Sequence, residues 1–145
     1  SVDDFPNGFD NTTIALSDTR SNLFEGSAHY KIKGMDKYLT VIEAFGPNGH
    51  RYYRAWVADD LAGDWTPLAT TWENPFAAPT NVTFPSDALR LDVSHGEMIR
   101  DGYDETMTID TCRLQFLYQS IDPSTPDGLP YSQLPYRLGL LTAQQ

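Results

Sequence analysis

The chain reads as an all-β protein, and three observations predict this. Short runs rich in aromatic and β-branched residues recur along it, separated by Gly, Pro, Asp and Asn clusters. No stretch carries a sustained helical period. Ten prolines spread over 145 residues leave no room for a long helix. With 40% hydrophobic and 12% aromatic content there is enough apolar material for a packed core.

The elements follow in order. Residues 22–33 form the first expected strand. Residues 38–45 and 52–57 form the next two, and Gly46-Pro47-Asn48-Gly49 between them is a hairpin signal. Leu61 opens at most a single turn that Gly63 ends, and residues 65–68 give a short fourth strand. Residues 71–91, with Asn74-Pro75-Phe76 and Ala77-Ala78-Pro79, make a long loop of the kind that is functional or disordered. Strands at 93–99, 113–118 and 138–142 complete the chain. Short strands at this spacing suit a sandwich, a barrel or propeller blades, and pattern alone does not choose among them.

Twenty acidic residues against ten basic ones give a formal charge of −10 with no Lys/Arg cluster. This disfavours phosphate backbones and anionic membranes, and suits a neutral ligand such as a polysaccharide. No apolar run approaches the roughly 20 residues that span a bilayer. The spacings of zinc fingers, haem attachment and phosphate loops are absent. Asn11-Thr12-Thr13 and Asn81-Val82-Thr83 are glycosylation sequons in turn-rich surroundings; with a single cysteine and few lysines they point to a secreted eukaryotic protein. That cysteine, Cys112, is either a buried apolar thiol or pairs outside the chain. A start at Ser1 rather than Met implies cleavage of a leader or of a longer polypeptide.

The most informative stretch is Ser21-Asn22-Leu23-Phe24-Glu25-Gly26, which sets one carboxylate in an apolar run before a glycine. Such a carboxylate is either a satisfied structural group or a chemical one. Apolar flanks at Leu23 and Phe24 would disfavour its charged form. Glu43 lies in another apolar strand, where alternation does not aim it at Glu25, so it reads as structural. His29 and His50 fall in an outer strand and a turn and read as incidental.

Together with Asp92-Val93-Ser94-His95-Gly96-Glu97, residues 106–119 and Tyr131-Ser132-Gln133-Leu134-Pro135-Tyr136-Arg137, the Glu25 segment resembles the C-terminal half of glycoside hydrolase family 62. These are α-L-arabinofuranosidases that trim arabinoxylan. The resemblance runs nearly end to end, with segments in the same order. It implies the last blades of a five-bladed β-propeller, with residues 1–145 forming the C-terminal part of one catalytic domain. The N-terminal half is then expected on a separate chain.

The same resemblance implies an inverting mechanism in which Glu25 is the general acid. The base and an aspartate that tunes the acid are expected upstream of Ser1. It also implies that His95 helps hold a calcium ion, an unusual ligand for an oxygen-preferring cation, so that the rest of the shell is water or carboxylate. Tyr131 is implied to line the sugar pocket, and Cys112 to pair with a cysteine near the missing N-terminus. Arg54 is expected to point inward as a donor to the arabinose or the carboxylates, unless it is solvated. The family's frequent Leu-Pro-Trp-Arg-Pro-Gly reads Leu134-Pro135-Tyr136-Arg137-Leu138-Gly139 here. The competing reading is a non-catalytic carbohydrate-binding β-domain that stacks sugars on Trp56, Trp65 and Trp72, although Trp56 and Trp65 read as core.

Overall fold

A computed structural model of the chain describes residues 2–7, 12–84, 92–122, 124–126 and 128–144. Among these, helical geometry is confined to single 3-10 turns. No helix is long and apolar enough to cross a membrane. Seven strands form two antiparallel meanders. The first sheet runs β1 (Glu25–Lys31), β2 (Tyr38–Phe45), β3 (Arg51–Ala58) and β4 (Thr66–Ala69); the second runs β5 (Ser94–Met98), β6 (Gln115–Ile121) and β7 (Tyr136–Thr142).

The β2–β3 hairpin is the best-paired unit. Its ladder is unbroken from Tyr38 opposite Ala58 to Phe45 opposite Arg51, and a 3-10 turn at Pro47–Gly49 closes it. β2 is buried on both faces, as a strand central in a sheet and covered on each side must be. One face joins Leu39, Val41, Tyr53 and Ala55 to Val93, Met98, Phe116 and Tyr118 of the second sheet in the main core. Edge-on ring contacts of Phe116 with Tyr53 (4.9 Å) and Phe76 (5.6 Å) fill its centre. On the opposite face Ile42, Trp56, Ala58 and Trp65 pack under Ala15, Leu16 and Leu23 of the incoming segment. Trp72 stands edge-on to Tyr52 at 5.4 Å. The tryptophans therefore belong to packing and offer no exposed stacking platform.

Most strand ends differ from the sequence expectation by one to three residues, and three departures have a clear local reason. β1 starts at Glu25 rather than residue 22, because the Asn22 and Leu23 N–H groups turn back to the Thr19 carbonyl. β6 starts at Gln115 because Asp110 caps a 3-10 turn at Thr111–Arg113, its side chain accepting from the Cys112 N–H. The long loop folds back on the first sheet through residue 84: Ala77 pairs with Tyr53, Pro75 pairs with Thr70, and Ala77 and Ala78 are buried. Residues 85–91 lie outside the described set.

The two sheets are joined where β1 and the start of β3 meet β5 and the residues before it. Tyr30 Oη accepts from the Met98 N–H at 3.0 Å, Asp92 Oδ1 accepts from the Arg51 N–H at 2.7 Å, and Arg51 O accepts from the Val93 N–H at 3.1 Å. At the far end Ile32 forms a parallel bridge to Ile109. The second sheet differs from the first in having one bare face, on which Leu138 is 71% and Leu140 is 52% exposed.

Candidate active site

The β1–β2 register sets Glu25 directly opposite Glu43, at the end of β1 that meets His95 of β5. Between Glu25 and Ala28 the register shifts, and Gly26 takes φ +60. A Cβ there would lie 2.6 Å from Tyr53 Oη and 3.3 Å from Glu43 Oε2, so the step after Glu25 requires glycine on two counts. This irregularity corrects the expectation that alternation keeps Glu43 away from Glu25. The bulge breaks the period of two, and carboxylate oxygens of both residues and a ring nitrogen of His95 lie within 4.8 Å of one another.

The two carboxylates differ in surroundings. Glu43 is fully buried and satisfied: it accepts from Arg51 Nη1 at 2.6 Å, Ser94 Oγ at 3.1 Å, the His95 N–H at 2.7 Å and Tyr53 Oη at 3.5 Å. Several charge-assisted bonds are what a buried carboxylate needs to offset lost hydration. Glu25 is 45% exposed, with Arg51 Nη1 at 3.6 Å and His95 Nε2 at 3.4 Å from Oε1. The apolar walls expected from Leu23 and Phe24 are thus replaced at the carboxyl group by a guanidinium and an imidazole. Phe24 instead stacks under Arg51, whose Cζ is 4.4 Å from the Phe24 ring centre and 4.2 Å from that of Phe45.

His95 adopts φ +43, uncommon for a residue with a side chain, and its Nδ1 lies 2.9 Å from Ser94 Oγ and 3.0 Å from Gln119 Nε2. That leaves Nε2 on the Glu25 side. As donors to a hard cation, Glu25 and His95 offer accessible atoms, whereas the lone pairs of Glu43 are already engaged. The residues therefore fit a loosely held ion with water completing its shell, and fit poorly a tight cage of protein oxygens.

Burial pushes the Tyr53 hydroxyl well above the usual phenol range, so it stays protonated beside Glu43. Tyr131 sits in a 3-10 turn, 73% exposed, with its ring 6.2 Å from that of Tyr136. Tyr136 in turn feels the charges of Arg51 and Asp92, and burial and Tyr131 raise its hydroxyl pKa.

Arg54 is not brought here. Arg51 and Tyr53 face the second sheet, so Arg54, one residue out of phase, faces away. Its Nε donates to the Thr70 carbonyl at 2.7 Å and its Nη1 to the Asn22 carbonyl at 2.6 Å, while Asp18 stands at 3.2 Å and Trp56 lies beneath. The inward arginine is Arg51, which the sequence reading missed; its place opposite Phe45 at the start of the hairpin strand was the available signal. His29 packs 5.6 Å from Trp65, and His50 lies 3.4 Å from Asp92, away from the carboxylate pair.

Cys112 is exposed, which removes the buried-thiol alternative. The Asn81 amide holds the long loop, accepting from the Ala78 N–H at 2.8 Å and donating to the carbonyls of Pro75 and Phe76. A glycan on Asn81 Nδ2 would have to share that nitrogen. Asn11 lies outside the described residues.

Two successive antiparallel sheets, with Glu25, Glu43 and His95 gathered where they meet, are consecutive blades of a β-propeller. The chain belongs to glycosyl hydrolase family 62, whose family model matches residues 1–142. It is 45% identical over 141 residues to α-L-arabinofuranosidase C of Cellvibrio japonicus, a match covering 94% of this chain and 22% of that protein. Among solved structures it resembles the catalytic domain of the Coprinopsis cinerea family 62 α-L-arabinofuranosidase, at 44% identity and TM-score 0.88, covering 97% of this chain and 44% of that one. It also resembles the Podospora anserina α-L-arabinofuranosidase solved with cellotriose, at 43% identity and TM-score 0.89, covering 99% and 45%. The chain thus spans less than half the length of each of these relatives.

Proposed function

We propose that this chain is the acid-bearing part of an inverting α-L-arabinofuranosidase that removes arabinose side chains from arabinoxylan. The observation that carries the reading is Glu25 itself: a half-exposed carboxylate in a pinned backbone position, backed by a buried, satisfied partner. Glu25 protonates the departing xylose oxygen while a base activates water on the other face of the sugar.

Glu43 is not that base. Its oxygens are closer to Glu25 than the roughly 6.5–9.5 Å that leaves room for a water between the two groups, and it is fully buried. In this reading the base is carried by the upstream part of the domain, together with blades that would cover the bare Leu138 and Leu140 face. Tyr131 and Tyr136 supply aromatic surface and hydroxyls to the sugar at the rim. A calcium ion beside His95 would lend positive charge near the carboxylate and is not asked to activate water. Secretion fits the sequons, and the exposure of Cys112 is compatible with a disulfide to a cysteine beyond this chain.

Exchange of Glu25 for glutamine tests the reading. E25Q in the complete enzyme should reduce arabinose release from arabinoxylan by on the order of 10²-fold or more while leaving the fold and substrate binding in place. Wild-type rates from E25Q would remove Glu25 from the mechanism.

A further inference from the structure

Glu43 is a buried charge that the reaction as proposed does not use, yet each of its strongest donors is a group that also borders Glu25. Arg51 Nη1, held 2.6 Å from Glu43 Oε1, stands 3.6 Å from Glu25 Oε1, just beyond hydrogen-bond reach. The His95 N–H, held 2.7 Å from Glu43 Oε2, anchors the residue whose Nε2 is 3.4 Å from that same Glu25 oxygen. Glu43 is also the ladder partner of Glu25.

We propose that Glu43 is a positioning residue for Glu25, acting through Arg51 and the His95 backbone to fix the two groups that aim the acid's carboxyl. The inference rests on the reading of Glu25 as general acid. Three features support it. Both Glu43 oxygens accept, a pattern that an amide with one acceptor oxygen cannot copy. The rings of Phe24 and Phe45 both lie against the Arg51 guanidinium, which confines it, and its reach is settled by Glu43. The left-handed His95 backbone, which costs energy in a residue with a side chain, is met by a bond to Glu43.

The test uses the complete enzyme and two substrates. A nitrophenyl arabinofuranoside expels a leaving group that needs little protonation, whereas an arabinoxylan oligosaccharide expels a sugar alkoxide that needs a well-aimed acid. A misaimed acid slows the second and spares the first; a loosened fold slows both. E43Q should lose kcat on the oligosaccharide by roughly ten- to a hundredfold with KM little changed, and only a few-fold on the nitrophenyl substrate. R51K, at a partly exposed site that tolerates substitution better, should show the same bias and decides the matter if E43Q does not fold. Equal losses on both substrates, or none, would overturn the positioning role. E25Q separates the two ideas: if E25Q itself shows no bias the general-acid reading fails, and if E25Q is biased while E43Q and R51K are not, only the role of Glu43 fails.

Discussion

At the scale of single residues the site depends on Gly26 as much as on Glu25. The positive φ and the 2.6 Å approach to Tyr53 Oη leave no place for a methyl group. Gly26→Ala should therefore cost about 2 kcal/mol or more, read by denaturant unfolding of the complete protein, and should lower activity by moving Glu25. Glu25 beside its glycine was legible in the sequence because a carboxylate is conspicuous in an apolar run. The partner Glu43 and the cation Arg51 were not. Both depend on which way a side chain points after a bulge, and a one-residue shift reverses every facing along a strand. Arg54 shows the same limit: it has the right chemistry and lies one residue away from the right face.

At the scale of elements, the second sheet is tied to the first by an exposed charge cluster beside the Ile32–Ile109 bridge. Lys33 Nζ lies 2.7 Å from Asp101, and Arg113 Nη2 lies 3.1 Å from Asp101 and 2.9 Å from Asp110. The hydrogen bond from Arg113, with the Cys112 N–H second, holds the Asp110 carboxyl below its ordinary value of 3.8. A carboxyl lowered in the native state stabilises it above that ordinary value, and the contribution fades as pH falls through the lowered one. Asp110→Asn should therefore depress thermal stability at neutral pH more than at pH 3, a difference measurable by melting curves across that range. Hairpin β2–β3 was legible nearly to the residue, since its turn chemistry and apolar runs agree. The starts of β1 and β6 were not, because a turn onto Thr19 and an Asp110 cap take up backbone groups that a period-two pattern assigns to strands.

At the scale of the whole molecule, the sequence pattern left sandwich, barrel and propeller open, and family membership with the two-meander arrangement decides for propeller blades. One sheet is covered on both faces within the chain, and the other keeps an apolar face bare. That asymmetry is what the proposed covering by further blades would relieve. The most direct measurement is arabinose release from arabinoxylan by the 145-residue chain alone and after combination with the upstream half of the domain. The account predicts no release from the chain alone, release from the combination, and its loss with E25Q. Tight xylan binding by the lone chain, with no release from either sample, would contradict it and favour a binding domain.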